Sequence, residues 1–265
     1  MNVNWNDIET YISEIDNPKG NILFLHGFTG NFNNKISFRY FFNEYNFYGI
    51  NMPGHGNSKF LSLNELNQNY YVDLVVEFIK KNNLNNLIIL GHSMGGGIAL
   101  LVYKKIKERI NKLILEGPAN KAVFENYEMS KKLMPETYED TKFIMSKLFY
   151  DPIKFFGTKE KFELYCLNEF NSLNTKYKDL KTLLNKELMQ QFFDNIQEAI
   201  KEIKIPTLLV IGKHDEIVPY KATVNNFVEN VSGNYLSLVE CDNCSHLPLT
   251  ENREILPLIK QFIEK

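Results

Sequence analysis

One serine stands in a glycine-rich segment that directly follows a run of apolar residues. Ser93 is the centre of the pentapeptide GHSMG at 91–95, and the run Leu87–Leu90 precedes it. Apolar residues then recur at helical spacing from Met94 to Ile106. A G-x-S-x-G segment between a buried strand and a helix forces its serine into a strained turn, because larger flanking residues would collide with the neighbouring backbone. The pattern therefore predicts that Ser93 is an exposed nucleophile.

A serine hydroxyl is a poor nucleophile at neutral pH, so this chemistry requires a general base and a group that orients the base. Asp215 follows the strand-like run Thr207–Ile211, and His246 follows a second such run, Tyr235–Val239. Because ligands bind outside the carboxyl ends of the strands in open α/β sheets, the three loops are expected to meet at one edge. The sequence thus predicts Ser93, Asp215 and His246 as catalytic residues.

Two upstream motifs accompany the serine segment: LFLHGFTG at 23–30 and PGHGNS at 53–58. Together the three motifs resemble the α/β-hydrolase family, in particular its serine esterases and lipases, and the resemblance covers nearly the whole chain. It implies that the backbone N–H groups of Phe28 and Met94 form an oxyanion hole, while PGHGNS is a structural turn. Loss of one such donor typically costs about 2.7–4 kcal/mol of transition-state stabilisation.

Other residues compete for the roles of base and orienting carboxylate. The family order of nucleophile, acid and histidine favours His246 as the base. The spacing of Asp215 after the preceding strand favours it over Glu216, its neighbour in the chain. The remaining histidines are also candidates for the base: His26, His55, His92 and His214.

A metal site is the alternative interpretation of Cys241 and Cys244, which lie close to His246. A structural zinc ion needs four ligands, and no second Cys/His pair lies nearby in the sequence. Metal binding would also occupy the imidazole that the serine requires as its base. We therefore expect two ordinary thiols, no metal and no cofactor.

Length and composition indicate one enzyme-sized domain. The chain has 265 residues, of which 44% are hydrophobic and 23% charged, and its net charge of −2 gives no electrostatic basis for nucleic-acid binding. The N-terminus lacks the features of a signal peptide, and no apolar run is long enough for a membrane helix. Three cysteines favour a reducing compartment over a disulfide framework. We therefore expect a cytoplasmic protein without stable membrane insertion.

The alternation of strand and helix patterns predicts an α/β-hydrolase fold with a mostly parallel, doubly wound sheet and an inserted helical cap. Strands are expected at Ile8–Ile15, Asn21–Leu25 and Tyr48–Met52. The C-terminal segment Glu251–Ile263 predicts a helix, with Pro257 near its start or at a kink.

The segment 118–200 has only helical patterns and is predicted to be the cap, while 1–117 and 201–265 form the α/β-hydrolase core. The cap segment is rich in aromatic residues and contains no arginine. Bidentate binding of a carboxylate or phosphate prefers arginine, so a neutral ligand is favoured. The expected partner is therefore a small-molecule carboxylic ester with a neutral small or medium acyl chain, hydrolysed by a serine esterase.

The same motifs leave two other functions open. They also resemble the menaquinone-pathway lyase that eliminates pyruvate, and the C–C bond hydrolases. The lyases usually have arginine directly after the paired glycines of the serine turn, where this chain has Gly97, so this difference counts against a lyase. A non-catalytic binding protein on the same scaffold would typically lack a catalytic residue, and all three predicted ones are present.

Overall fold

The computed structural model describes residues 3–124 and 127–265. Within these ranges a single seven-stranded sheet forms the centre of the molecule, with strand order β1-β3-β2-β4-β5-β6-β7. Strand β1 is antiparallel to β3, and the other neighbouring strands are parallel. The strands are β1 (Thr10–Ser13), β2 (Asn21–Leu25), β3 (Asn46–Ile50), β4 (Leu87–His92), β5 (Ile110–Glu116), β6 (Thr207–Gly212) and β7 (Leu236–Cys241).

Helices cover the sheet and fill the connection between β5 and β6. The α-helices are α1 (Phe38–Phe41), α2 (Gln68–Lys81), α3 (Met94–Lys105), α4 (Lys121–Phe124), α5 (Tyr127–Lys131), α6 (Tyr138–Leu148), α7 (Pro152–Phe156), α8 (Lys159–Asn174), α9 (Lys186–Lys201), α10 (Tyr220–Asn230), α11 (Pro248–Glu251) and α12 (Leu256–Glu264). Shorter 3₁₀ segments lie at Trp5–Asp7, Phe32–Asn34, Leu63–Glu65, Lys107–Arg109, Lys178–Leu184 and Arg253–Ile255. No helix of the described ranges is long and apolar enough to cross a membrane.

Apolar side chains of the central strands alternate between two hydrophobic clusters. In β4, Leu87 and Ile89 belong to one cluster, while Ile88 and Leu90 belong to the other. Successive side chains of a strand point to opposite faces of the sheet, so a continuous apolar run buries both faces. Helices α2, α3 and α9 contribute to the first cluster, and α12 contributes to the second. The sheet is thus covered on both faces, as a doubly wound fold requires.

Several element boundaries differ from the sequence prediction, and β3 spans Asn46–Ile50 where Tyr48–Met52 is predicted. Strand β1 is shorter than the predicted Ile8–Ile15, because only Thr10–Ser13 finds partners on β3. The predicted C-terminal helix is divided, since Asn252 has extended backbone angles and its side chain accepts the Glu254 N–H. Pro257 lies in the first turn of α12, where its missing N–H is not needed.

Between β5 and β6 the described residues form only helices and turns, from α4 to α9. We call these residues the helical insertion. Helices α6 and α8 enclose a small apolar cluster of their own, which includes Ile144, Met145, Phe162 and Cys166. Helix α9 instead packs against α3 of the sheet domain. The limits 118 and 200 of a cap stay a prediction.

Candidate active site

Ser93 occupies a sharp turn between the end of β4 and the start of α3. Its backbone angles are φ 53° and ψ −120°, a conformation that costs free energy for a residue with a side chain. Two hydrogen bonds tie the turn to β5 and the segment after it: the Ser93 N–H donates to the Glu116 carbonyl at 2.9 Å, and the Ala119 N–H donates to the Ser93 carbonyl at 2.9 Å. Ser93 as a whole is half-buried.

Glycine is required on both sides of this turn. A Cβ atom on Gly95 would lie 2.1 Å from the carbonyl oxygen of Leu25 in β2, and one on Gly91 would lie 2.6 Å from the carbonyl oxygen of Gly95. Both contacts are with backbone atoms, which cannot rotate away as a side chain can. The glycines therefore allow α3 to start directly against the sheet, which forces Ser93 into its strained conformation.

Asp215 and His246 form a buried pair on the loops after β6 and β7. The His246 Nδ1 atom lies 2.8 Å from Asp215 Oδ2, and both side chains are almost fully excluded from solvent. The other carboxylate oxygen, Asp215 Oδ1, accepts the Val218 N–H at 2.8 Å. We assign the Nδ1 proton to the bond with Asp215, which leaves Nε2 of the neutral ring as an acceptor. A histidine held in this way can serve as a general base.

The charges around His246 favour its protonated form. Burial disfavours the imidazolium, but the negative charge of Asp215 and its hydrogen bond act in the opposite direction. The carboxylates of Glu116 and Glu251 add to this attraction. Together these groups hold the pKa of His246 above its ordinary value.

The loops that carry Ser93 and His246 are in direct contact. The ring of His92, next to Ser93, lies 4.9 Å from the His246 ring between centroids, and its Nε2 atom is 3.2 Å from the His246 carbonyl oxygen. No hydrogen bond joins the Ser93 hydroxyl to any residue that the structure describes. Catalytic hydrogen bonds are often long in free enzymes and tighten in the substrate complex. The three predicted residues therefore share one edge of the sheet, with Asp215 and His246 already paired.

The loop after β2 lies against the serine turn. A Cβ atom on Gly27 would come within 3.1 Å of Ser93 Cβ, and the next residue is Phe28. Met94 is the first residue of α3, so its N–H has no partner inside the helix. Neither the Phe28 nor the Met94 amide donates to another residue of the described chain. The two predicted oxyanion donors are thus N–H groups without a hydrogen-bond partner in the described chain, one on the loop after β2 and one at the start of α3.

The other histidines are held in different environments. His26 is buried, and its Nε2 atom accepts the Met52 N–H at 3.0 Å; burial lowers its pKa to about 4. Burial also lowers the pKa values of His55 and His92 well below the ordinary value. His214 is exposed and lies against the ring of Tyr150. Among the histidines, His246 alone contacts a carboxylate within the described ranges.

The helical insertion is attached to both loops of the Asp215–His246 pair. The Ser245 hydroxyl donates to the Lys147 carbonyl at 2.6 Å, next to His246 in the chain. Glu251 accepts the N–H groups of Tyr150 and Ser245 on its two carboxylate oxygens, at 2.6 and 2.7 Å. Lys147 also pairs with Glu216 at 2.9 Å, so Glu216 is directed to the insertion and Asp215 to the histidine.

Sequence reasoning missed a buried ion pair beneath this site. Lys35 Nζ lies 3.1 Å from Glu116 Oε1, and neither side chain is more than 1% exposed. The position of Glu116 after the apolar run Leu113–Leu115 is a signal that the sequence does contain, because an acidic residue is rarely buried without a partner. Lys35 carries no comparable signal.

Cys241 and Cys244 are both buried and neither forms a disulfide. In the described part of the chain, no group of three or more histidine, cysteine, aspartate or glutamate residues is arranged to hold a metal ion.

The seven-stranded, mostly parallel sheet, with the strained Ser93 turn after β4 and the Asp215–His246 pair after β6 and β7, is the fold of an α/β hydrolase. Residues 16–253 match the family model described as serine aminopeptidase, S33. The chain belongs to this family of α/β hydrolases, and its resemblance to serine esterases and lipases is confirmed.

Two full-length relatives carry the same name. "Putative esterase/lipase 1" of Mycoplasma pneumoniae is 36% identical over 263 residues, which cover 98% of this chain and 97% of that protein. The protein of the same name from Mycoplasma genitalium is 31% identical over 262 residues, which cover 98% of this chain and 97% of that protein.

Solved structures share the fold at lower sequence identity. An esterase from Exiguobacterium antarcticum superposes with a TM-score of 0.75 at 19% identity, covering 97% of this chain and 96% of the other. A meta-cleavage product hydrolase from Pseudomonas fluorescens gives a TM-score of 0.77 at 16% identity, covering 97% and 94%. These similarities confirm the predicted α/β-hydrolase fold.

Proposed function

We propose that this protein is a serine hydrolase that cleaves carboxylic esters with neutral small or medium acyl chains. The observation that carries the proposal is the buried Asp215–His246 pair, in which Nδ1 and Oδ2 are 2.8 Å apart. The loop of His246 also contacts His92, next to the strained turn of Ser93. A nucleophile, a base and an orienting carboxylate are the parts that acyl transfer requires.

In the proposed reaction, His246 Nε2 accepts the Ser93 proton as Ser93 Oγ attacks the ester carbonyl. The carbonyl oxygen becomes an oxyanion that the Phe28 and Met94 N–H groups stabilise. Collapse of this intermediate breaks the ester bond, and the imidazolium protonates the departing alcohol. Water, deprotonated by His246, then attacks the acyl group on Ser93, and the serine hydroxyl recovers its proton from the imidazolium.

Apolar residues pack against α3, the helix that follows Ser93, and they support the proposal of a neutral acyl group. Helix α9 contacts the start of α3, since a Cβ atom on Gly97 would meet Ile196 and Phe192 within 3.0 Å. Phe192 in turn packs against Phe193, and Phe193 against Phe124. The segment 118–200 contains no arginine that could bind a carboxylate on the acyl chain.

A C–C bond hydrolase is the second candidate. The meta-cleavage product hydrolase shares the fold over nearly the whole chain, as the esterase does, so a test should include both reactions. The serine aminopeptidase description of the family adds peptide bonds to the substrates that a test should include. The purified protein should therefore be compared on p-nitrophenyl butyrate, on a 2-hydroxy-6-oxodienoate and on aminoacyl p-nitroanilides.

Replacement of the nucleophile tests the proposal directly. Ser93→Ala should abolish hydrolysis of p-nitrophenyl butyrate and labelling by a fluorophosphonate, while the thermal unfolding midpoint changes little, because alanine fits the turn and removes only the hydroxyl. Ser237→Ala, at an exposed position of β7, is the matched control and should retain full activity. Residual activity of Ser93→Ala above about a thousandth of wild type would rule out Ser93 as the nucleophile.

A further inference from the structure

Glu116, at the end of β5, contacts both halves of the candidate active site. Its carbonyl oxygen accepts the Ser93 N–H at 2.9 Å. Its carboxylate oxygen Oε1 accepts the Leu249 N–H at 2.9 Å, in the first turn of α11, which begins two residues after His246. One residue thus joins the turn of the nucleophile to the segment that carries the base.

Lys35 supplies the counter-charge for this carboxylate. Its ammonium group donates to Glu116 Oε1 at 3.1 Å and to the Thr250 hydroxyl at 2.9 Å, so it also reaches α11. Burial lowers the pKa of Lys35, although the charge of Glu116 opposes this effect. Both members of the pair therefore contact α11, Glu116 through the Leu249 N–H and Lys35 through the Thr250 hydroxyl.

A contribution to the stability of the fold does not by itself explain the buried Lys35–Glu116 ion pair. Charges removed from water carry a desolvation cost, and apolar residues of similar volume are often as stabilising as a buried ion pair. Glu116 Oε2 is buried and lacks a hydrogen-bond partner among the described residues, which adds a further cost. A carboxylate in this position is better explained by its negative charge near His246 and by its hydrogen bond to the Leu249 N–H.

We propose that Glu116 is a positioning residue that holds His246 in place relative to Ser93 and stabilises the imidazolium through its negative charge, with Lys35 as its buried partner. This inference rests on the proposed serine hydrolase function. It assigns to Glu116 a geometric effect through Leu249 and an electrostatic effect on His246, and the two can be separated by substitution.

The charged and titratable groups around His246 come from several elements. Asp215 on the loop after β6 contacts it directly, and Glu251 at the end of α11 adds negative charge. His92 at the end of β4 is held neutral by burial. Glu116 contributes negative charge from β5, and Lys35, paired with it, contributes positive charge, so removal of the Glu116 charge alone should favour neutral His246 and lower its pKa.

Glu116→Gln removes only the negative charge and keeps an oxygen that can accept the Leu249 N–H. We expect kcat/KM to reach half its plateau at a lower pH than wild type, by roughly 0.5–1 unit, because the positive charge of Lys35 stays and also disfavours the imidazolium; a charge in direct contact shifts a pKa by 1–3 units. The plateau kcat of this variant should stay within about threefold of wild type, because the reach to α11 is preserved.

Glu116→Asp is the complementary variant, since it keeps the charge and withdraws it from Leu249. Its kcat and its rate of fluorophosphonate labelling should fall roughly 10- to 100-fold, with KM and the pH midpoint close to wild type, because small displacements of catalytic groups cost rates of this size. Ser237→Ala, at an exposed position of β7, is the control and should change neither kcat nor the pH midpoint.

Folded variants that keep both the wild-type pH midpoint and the wild-type kcat would overturn the inference alone. The two variants perturb Glu116 differently, so either one that folds is sufficient for the test. If the wild-type protein neither hydrolyses the ester nor reacts with the fluorophosphonate, the proposed function fails and this inference fails with it.

Discussion

The environment of each histidine determines what its imidazole can do. His26 and His246 are both buried, yet the pKa of His26 is lowered to about 4, while that of His246 is raised. The difference is the carboxylate of Asp215, which contacts His246 and has no counterpart beside His26. Burial alone would make both rings weak bases, and the neighbouring charge reverses this effect for one of them.

This contrast predicts the pH dependence of the reaction. His246 must be neutral to accept the serine proton, and its raised pKa means that the proton stays bound to a higher pH. We therefore expect kcat/KM to rise through one ionisation with a midpoint above the ordinary histidine value of about 6.5, and then to reach a plateau. Initial rates on p-nitrophenyl butyrate between pH 5 and 9 measure this midpoint. A midpoint below 6.5, or substantial activity with the same profile in His246→Ala, would contradict the assignment.

The strand–turn–helix unit around Ser93 depends on glycines, because residues without a side chain allow the backbone segments to approach closely. Glycines at 91 and 95 let β4 and α3 meet with almost no space between backbone atoms. The strain at Ser93 is the result of this packing and directs the hydroxyl to the carboxyl edge of the sheet. The geometry of Ser93 is thus determined by the glycines around it.

Gly95→Ala tests this dependence. The added methyl group would lie 2.1 Å from the Leu25 carbonyl oxygen, so either β2 or α3 must move. We expect a loss of stability of about 1–3 kcal/mol or more, seen as a lower thermal unfolding midpoint, and a fall in kcat/KM of at least 100-fold. Gly233→Ala, where a Cβ atom meets nothing within 4 Å, should leave both unchanged. Wild-type kinetics in Gly95→Ala would show that the tight approach is not needed for activity.

Local patterns in the sequence were sufficient to predict the central strands and the serine turn, because strand periodicity and glycine spacing act over a few residues. They did not predict the division of the C-terminal helix at Asn252, which depends on a capping hydrogen bond. They also missed the Lys35–Glu116 pair, whose members lie 81 positions apart and meet only when the sheet is assembled. Contacts of this kind leave no periodic signal.

At the scale of the whole molecule, the composition of the helical insertion predicts substrate selectivity. An apolar site gains roughly 0.8 kcal/mol per buried CH₂ group, so kcat/KM should increase by up to a few fold per methylene of a neutral acyl chain until the site is filled, and then decrease. A succinate hemiester should be a poorer substrate than a butyrate ester, because its carboxylate would lose water without gaining an arginine partner. Preference for the charged ester would contradict a neutral acyl site.

The order of the strands has a consequence for synthesis of the protein. The candidate site combines Phe28 from the loop after β2 with His246 from the loop after β7, and Lys35 meets Thr250 across 215 positions. A growing chain therefore cannot assemble the acid–base pair until β7 and the loop after it have left the ribosome. A chain that ends before this loop therefore lacks the contact between Asp215 and His246, and it should show no hydrolytic activity however well its earlier strands have folded.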